Sequence, residues 1–214
     1  MLAEHRFPFV VLEGPDGAGK TTLREMTIAQ LWERGLPVYH IGQHSWLSPV
    51  ATRTILDVRL DRHGWSAEEI SAAYIADKVS QAERNVKPFL STAAILADRY
   101  LHSDVVYHEA LYGIPMARTL DAYARSDILL PDLVVYVDVD VDTSMSRVHG
   151  RGKALRPFER PDVMARVIER YRDLFVRGGD LRCRSLTVEN RGGDPRTVVA
   201  EHIVPAILSA VPKE

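Results

Sequence analysis

The chain has 214 residues, 46% of them hydrophobic and 26% charged, with a formal net charge of -2. This length predicts one domain with a sizeable core, and the near-neutral balance offers no basic field for a nucleic acid polymer. A lone cysteine, Cys183, has no second thiol to bridge and fits a reducing compartment; with no long apolar run and no signal-like N-terminus, a soluble cytoplasmic protein with no membrane partner is expected.

Strand-like apolar runs lie near 7–13, 37–42, 93–98, 133–139 and 184–190. Between them, amphipathic stretches predict helices at about 20–34, 66–86, 103–112, 116–127, 142–149, 160–176 and 195–210. This alternation predicts an α/β fold with a five-stranded parallel sheet flanked by helices on both faces. Neither repeats nor linkers divide the chain, so a single domain over 1–214 is expected.

The first strand-like run, Phe7 to Leu12, delivers Gly14-Pro15-Asp16-Gly17-Ala18-Gly19-Lys20-Thr21, which matches G-x-x-x-x-G-K-[ST] in full and is followed by Thr22. Glycines at these points let the backbone turn with positive φ and bring amide N–H groups up to phosphate oxygens. Gly19 leads into a helix whose N-terminus favours the same anion. Lys20 supplies an ammonium for the β/γ-phosphates, and the Thr21 hydroxyl is a ligand for Mg²⁺. The loop therefore predicts a triphosphate site with Mg²⁺, built from Gly14, Asp16, Gly17, Ala18, Gly19, Lys20, Thr21 and Thr22.

Gly35 and Pro37 then punctuate the chain before a short second strand, Val38 to Ile41. Residues 42–64 fit no clear element. His40, His44 and His63 in this region match no compact metal-ligand spacing, so surface or core histidines are expected. Asp61-Arg62-His63-Gly64 fits D-x-x-G, a GTPase switch element, but no N-K-x-D follows. Ser66 and Glu69 form a capping box that opens the next helix, which stops at Pro88. On it Tyr74, Lys78 and Gln81 share one face. That stripe suits either a flat base with a phosphate or a solvated edge with a packed tyrosine.

Ala93 to Ala97 carries Asp98-Arg99-Tyr100 to the carboxyl end of a buried strand, where open α/β sheets bind ligands. Asp98 there can orient Mg²⁺ through its water shell, and the fork of Arg99 suits a phosphate; a structural Asp–Arg pair is the alternative. The run Leu133 to Asp140 ends in Asp138 and Asp140, with Asp140 expected to cap the following helix. Then comes the most basic stretch, Arg147, Arg151, Lys153, Arg156 and Arg160 with Gly150 and Gly152 between them. A glycine-containing arginine loop between two helices is what a lid over a phosphoryl group needs, here about 148–160. Asp194-Pro195 opens the last helix, and Arg191-Gly192-Gly193 precedes it in the turn where P-loop folds often hold adenine.

Taken together, these motifs resemble the thymidylate kinase family of P-loop nucleoside monophosphate kinases, in the right order over most of the chain. The P-loop, Asp98-Arg99-Tyr100 with Ser103 and Tyr107, Pro131-Asp132-Leu133 leading to Asp138 and Asp140, the arginine loop and Arg170-Tyr171-Arg172-Asp173-Leu174 carry the likeness. The resemblance implies a P-loop kinase fold with an arginine-rich lid and transfer of the γ-phosphoryl group of Mg·ATP to a nucleoside monophosphate, most simply dTMP. It implies that Asp16 meets the acceptor sugar, Tyr74 stacks on the base, Arg99 and Lys78 hold the acceptor phosphate, and Tyr107 belongs to the acceptor site. Lys20, Arg99 and one of Arg151 or Arg156 would be catalytic, with Thr21 and Asp98 at the metal. Because Gly17 stands where one branch of the family has arginine, the catalytic arginine is expected from the lid. A homodimer is also implied.

Two departures concentrate in the acceptor region, about 42–90. The family's R-E-P-G-G loop is replaced by Gly42-Gln43-His44-Ser45-Trp46, and its [FY]-x-A-x-R helix segment reads Tyr74-Ile75-Ala76-Asp77-Lys78. His108 further stands where a glutamine is often found. Two other readings therefore stay open: the same chemistry on a modified nucleotide, a nucleoside or a small phosphate or phosphonate, and a nucleotide-dependent switch protein.

Overall fold

A computed structural model describes residues 7–62, 64–152, 154–179 and 181–211. His63 and Lys153 lie outside the described residues. Five strands, β1 (Phe9–Glu13), β2 (Val38–Ile41), β3 (Ala94–Asp98), β4 (Leu133–Asp138) and β5 (Ser185–Glu189), form one sheet in the order β2-β3-β1-β4-β5. Every pairing is parallel. The chain leaves β1 for the edge strand β2, returns through β3, and crosses β1 to reach β4. The carboxyl end of β1 is thus the point where the strand order reverses, and the loop after it opens into the crevice where α/β sheets bind ligands.

Strand period explains why helices cover both faces. Val10 and Leu12 of β1, with Leu133, Val135 and Val137 of β4, point into one core. Phe9 and Val11, with Val134 and Tyr136, point into the other. The first core packs against α1 (Lys20–Glu33) and against the C-terminal helical stretch, in which α8 (Pro195–Val198) and α9 (Val204–Ala210) are joined by a π-helical turn at Val199–Ile203. Opposite it lie α4 (Leu101–Tyr112), α5 (Met116–Ala124) and α7 (Pro161–Phe175). Asp132 staples the front of the sheet, since its carboxylate accepts from Phe9 N at 2.7 Å and its own N–H donates to Phe9 O at 2.8 Å.

The expected caps form. Ser66 and Glu69 complete a capping box on α3 (Ala67–Gln81), Asp140 accepts from Thr143 N at 2.7 Å to start α6 (Val141–His149), and Asp194 precedes Pro195 at the first helical position. One expectation is corrected. The unassigned stretch 42–64 contains a helix, α2 (Pro49–Arg59), with Ser48 as N-cap and Pro49 at its first position. It packs on α3 through Ala51, Ile55, Ile70, Ala73 and Tyr74.

Candidate active site

The chain turns immediately after β1, and two glycines make the turn possible. Gly17 (φ 76°) and Gly19 (φ 87°) both occupy left-handed backbone. A Cβ on Gly17 would fall within 3.0 Å of the Ser144 carbonyl oxygen on α6, and one on Gly19 within 3.0 Å of the Asn190 amide. Neighbouring elements fix the loop: Asn190 Nδ2 donates to Ala18 O (2.8 Å), Ser144 Oγ to Asp16 O (2.7 Å) and Arg147 to Gly17 O (3.3 Å).

Lys20, the first residue of α1, is buried and folds back to donate to Gly14 O (2.9 Å) and Pro15 O (2.8 Å). Burial lowers its pKa and the Arg99 charge adds to this, against Asp98, Asp16 and Glu13, leaving it at about 8. At Asp16 burial works upward, but Arg99 at 2.8 Å, with Lys20, Arg156 and Arg151, outweighs it and holds the carboxylate at about 2.

Arg99 sits in left-handed backbone (φ 70°), a conformation that costs a side-chain-bearing residue on the order of 1–3 kcal/mol and is retained where the surroundings over-determine it. They do so here. Its N–H donates to Leu12 O at 2.9 Å, and its guanidinium lies 5.0 Å from the centre of the Tyr107 ring and 3.5 Å from both Ser103 Oγ and Tyr171 OH. Behind it the fully buried Glu13 accepts from Tyr100 N (2.8 Å), Ser103 N (3.2 Å), Ser103 Oγ (2.5 Å) and Tyr171 OH (3.1 Å). Tyr171 thereby ties α7, the helix after the arginine loop, to the arginine at the end of β3.

These groups open onto a cleft of about 890 Å³. Lys20, Arg59, Arg99, Arg147, Arg151 and Arg156 supply its cations, facing Asp16 and Asp98. So strong an excess of fixed positive charge suits a polyanion. Thr21, Thr22, Asn190 and Gly193 also line it. Of the metal candidates, the Thr21 hydroxyl and the Asp98 carboxylate share this wall, and hard oxygen donors of this kind fit Mg²⁺. In the arginine loop, buried Glu159 accepts from Arg156 N at 2.8 Å and pairs with Arg151 at 3.3 Å, while the Arg156 guanidinium reaches Asp16 at 3.9 Å.

A narrower cleft of about 50 Å³ continues from the first past Asp16, Arg99 and Arg156. Tyr74, Tyr107, His108, Asp104 and Phe158 line it, and Arg59 and His44 border both clefts. Asp77 builds the replaced loop at its mouth. Its carboxylate accepts from Ser45 N (3.0 Å), Ser45 Oγ (2.6 Å), Trp46 N (3.1 Å) and His44 Nδ1 (3.1 Å). Burial opposes ionisation of Asp77, yet the His44 hydrogen bond, Lys78 and Ser45 together hold it at about 2.

The structure therefore brings Asp16, Gly17, Gly19, Lys20, Thr21, Thr22, Asp98, Arg99, Tyr74, Tyr107, Arg151 and Arg156 around two joined clefts, while Gly14 and Ala18 of the P-loop line neither. Lys78 is not among them. The stripe of Tyr74, Lys78 and Gln81 faces inward, Lys78 is fully buried, and its ammonium lies 3.3 Å from Asp104 and 3.7 Å from Asp77. Buried carboxylates take the cation that the sequence reading put at the acceptor phosphate, and Arg59 stands on the wall instead. Asp61, Arg62 and Gly64 do not line either cleft. His40 lies 3.1 Å from Arg24, and Cys183 Sγ lies 3.7 Å from His102. Sequence reasoning missed Arg59, Glu13, Asp77 and Asn190. Ser48-Pro49, a cap followed by proline, was the signal for the helix that carries Arg59.

The family model described as Thymidylate kinase matches residues 12–184. A probable thymidylate kinase of Archaeoglobus fulgidus is 30% identical over 172 residues, 80% of this chain and 82% of the relative. One from Staphylothermus marinus is 30% identical over 179 residues, covering 83% and 86%, and a thymidylate kinase of Limosilactobacillus fermentum is 32% identical over 155 residues, covering 68% and 69%. With a complete P-loop, two joined clefts and this match over most of its length, the chain belongs to the thymidylate kinase family and is an ATP-dependent phosphotransferase.

Proposed function

We propose that this enzyme transfers the γ-phosphoryl group of Mg·ATP to a pyrimidine deoxynucleoside monophosphate, most simply dTMP, as a cytoplasmic homodimer. The observation that carries this reading is the junction of the two clefts at Asp16, Arg99 and Arg156. A triphosphate on the P-loop and a monophosphate in the narrow cleft would meet there with their reacting ends inside a ring of arginines.

In this reading Lys20 leaves the carbonyls of Gly14 and Pro15 to follow the β/γ-phosphates. Thr21 and Asp98 would hold Mg²⁺, which would supply neutralisation of phosphate charge. Arg99 and Arg59 hold the acceptor phosphate, Asp16 takes the sugar hydroxyl, and Tyr74 and Tyr107 wall the base. An acceptor phosphate oxygen forms its bond to the γ-phosphorus as the bond to the β-phosphate oxygen breaks, and ADP leaves. That oxygen is already ionised at neutral pH, so positioning and charge carry the catalysis and no general base is needed. The position of Gly17 against the Ser144 carbonyl supports taking the catalytic charge from Arg151 or Arg156, since a side chain at residue 17 has no room. Because Arg156 and Phe158 wall the narrow cleft, the loop of about 148–160 must move to admit a nucleotide, which is what a lid does.

The test is ADP release from Mg·ATP with and without dTMP. Acceptor-dependent turnover that Lys20→Ala abolishes is expected. A folded Lys20→Ala protein working at the wild-type rate, or ADP release indifferent to any acceptor, would overturn the reading.

A further inference from the structure

Four buried polar side chains on the narrow cleft, His44, Asp104, Tyr107 and His108, carry atoms without the partners that buried groups normally have. His44 Nδ1 faces the Asp77 carboxylate, which can only accept, so the ring nitrogen there carries the hydrogen. Burial lowers the His44 pKa, so the ring is neutral and Nε2 is a bare acceptor, with no hydrogen-bond partner among the described residues. Asp104 accepts from Tyr123 OH at 2.7 Å through Oδ2, the same oxygen that faces Lys78, while Oδ1 has no hydrogen-bond partner among them. One helical turn further on, His108 is 1% exposed and both of its ring nitrogens are unpartnered. Burial lowers its pKa to about 4, so it too is neutral, with one donor and one acceptor.

The residues lining the cleft therefore carry three unpaired acceptors, one ring N–H and the Tyr107 hydroxyl, which can act either way. Thymine and uracil offer two carbonyl acceptors and a single N3–H along their pairing edge, which leaves the wall short of hydrogens. Cytosine brings two hydrogens on N4, and a hydroxyl on the C5 substituent brings one more. We infer that the acceptor site is built for a pyrimidine monophosphate carrying an exocyclic donor, amino or hydroxyl, with Asp104, His108 and His44 as the residues that recognise it. This inference rests on the proposed nucleoside monophosphate kinase reading and narrows its acceptor. Leaving buried acceptors unpaired is costly, so a base lacking the donor loses about tenfold or more.

The experiment compares kcat/KM of the full chain, at saturating Mg·ATP, for two matched pairs: dCMP against dUMP, and 5-hydroxymethyl-dUMP against dTMP. The donor-bearing member of at least one pair should win about tenfold; a preference for dCMP assigns the amino group, and one for 5-hydroxymethyl-dUMP the hydroxyl. His108→Leu should bring that ratio towards one while the melting temperature and the KM for ATP stay put. The wild-type ratios decide the matter even if the variant does not fold. Turnover of dTMP or dUMP with no preference in either pair overturns the inference and leaves the kinase reading standing. Phosphorylation of none of the four overturns both.

Discussion

Asp77→Ala should loosen the loop at the mouth of the narrow cleft and weaken the acceptor without touching the donor. The side chain is fully buried, and four donors from Ser45, Trp46 and His44 converge on it. Its carboxyl falls from an ordinary 3.8 to about 2, which at about 1.4 kcal/mol per pKa unit is about 2 kcal/mol of preference for the charged form. Deleting the side chain also strands buried Lys78 with Asp104 alone, and breaking such a buried network costs about 3–5 kcal/mol. Denaturant melts should show that loss for Asp77→Ala and about 2 kcal/mol for Asp77→Asn, which keeps the shape but not the charge. Since the folded pKa is depressed, the stabilisation is complete above about pH 4 and drains away as pH falls through about 2. Kinetically, the KM for the acceptor should rise about tenfold or more with the KM for ATP little changed. A variant within about 1 kcal/mol of wild type and with an unaltered acceptor KM would refute the reasoning.

Further outcomes follow from the same geometry. Because Lys20 in the nucleotide-free enzyme has a pKa of about 8, kcat/KM for ATP should decline as pH rises above about 8. A profile flat to about pH 10 would show that the ammonium keeps its ordinary pKa. Gly17→Ala meets the Ser144 backbone, which cannot swing aside as a side chain would, so ATP binding measured by titration should be lost or fall about a hundredfold; an unchanged affinity in a folded variant would show that the loop can yield. Arg59→Ala, at the end of α2, should raise the KM for the acceptor about tenfold or more and leave ATP binding intact; equal loss of both would move Arg59 to the donor side.

The sheet and the donor half were legible because their signals are local. A P-loop is eight consecutive residues with glycines where the backbone turns left-handed, and each strand announces itself by a short apolar run. Capping residues at Ser66, Asp140 and Asp194 likewise act on backbone three residues away or fewer. The narrow cleft was harder to read, since its parts come from distant segments. Helical spacing put Tyr74, Lys78 and Gln81 on one stripe, but spacing has no sign: whether the stripe faces water or protein depends on what packs against it. Asp104, 26 positions beyond Lys78, turns that lysine into a buried counter-ion, and Asp77 holds a loop more than 30 positions before it. Sequence alone determined the sheet order's raw material, the phosphate loop and the arginines after β4. Tertiary structure decided which cations face the cleft and which neutralise buried carboxylates, because a buried charge takes its partner from whichever element the fold brings within about 4 Å, at any distance along the chain.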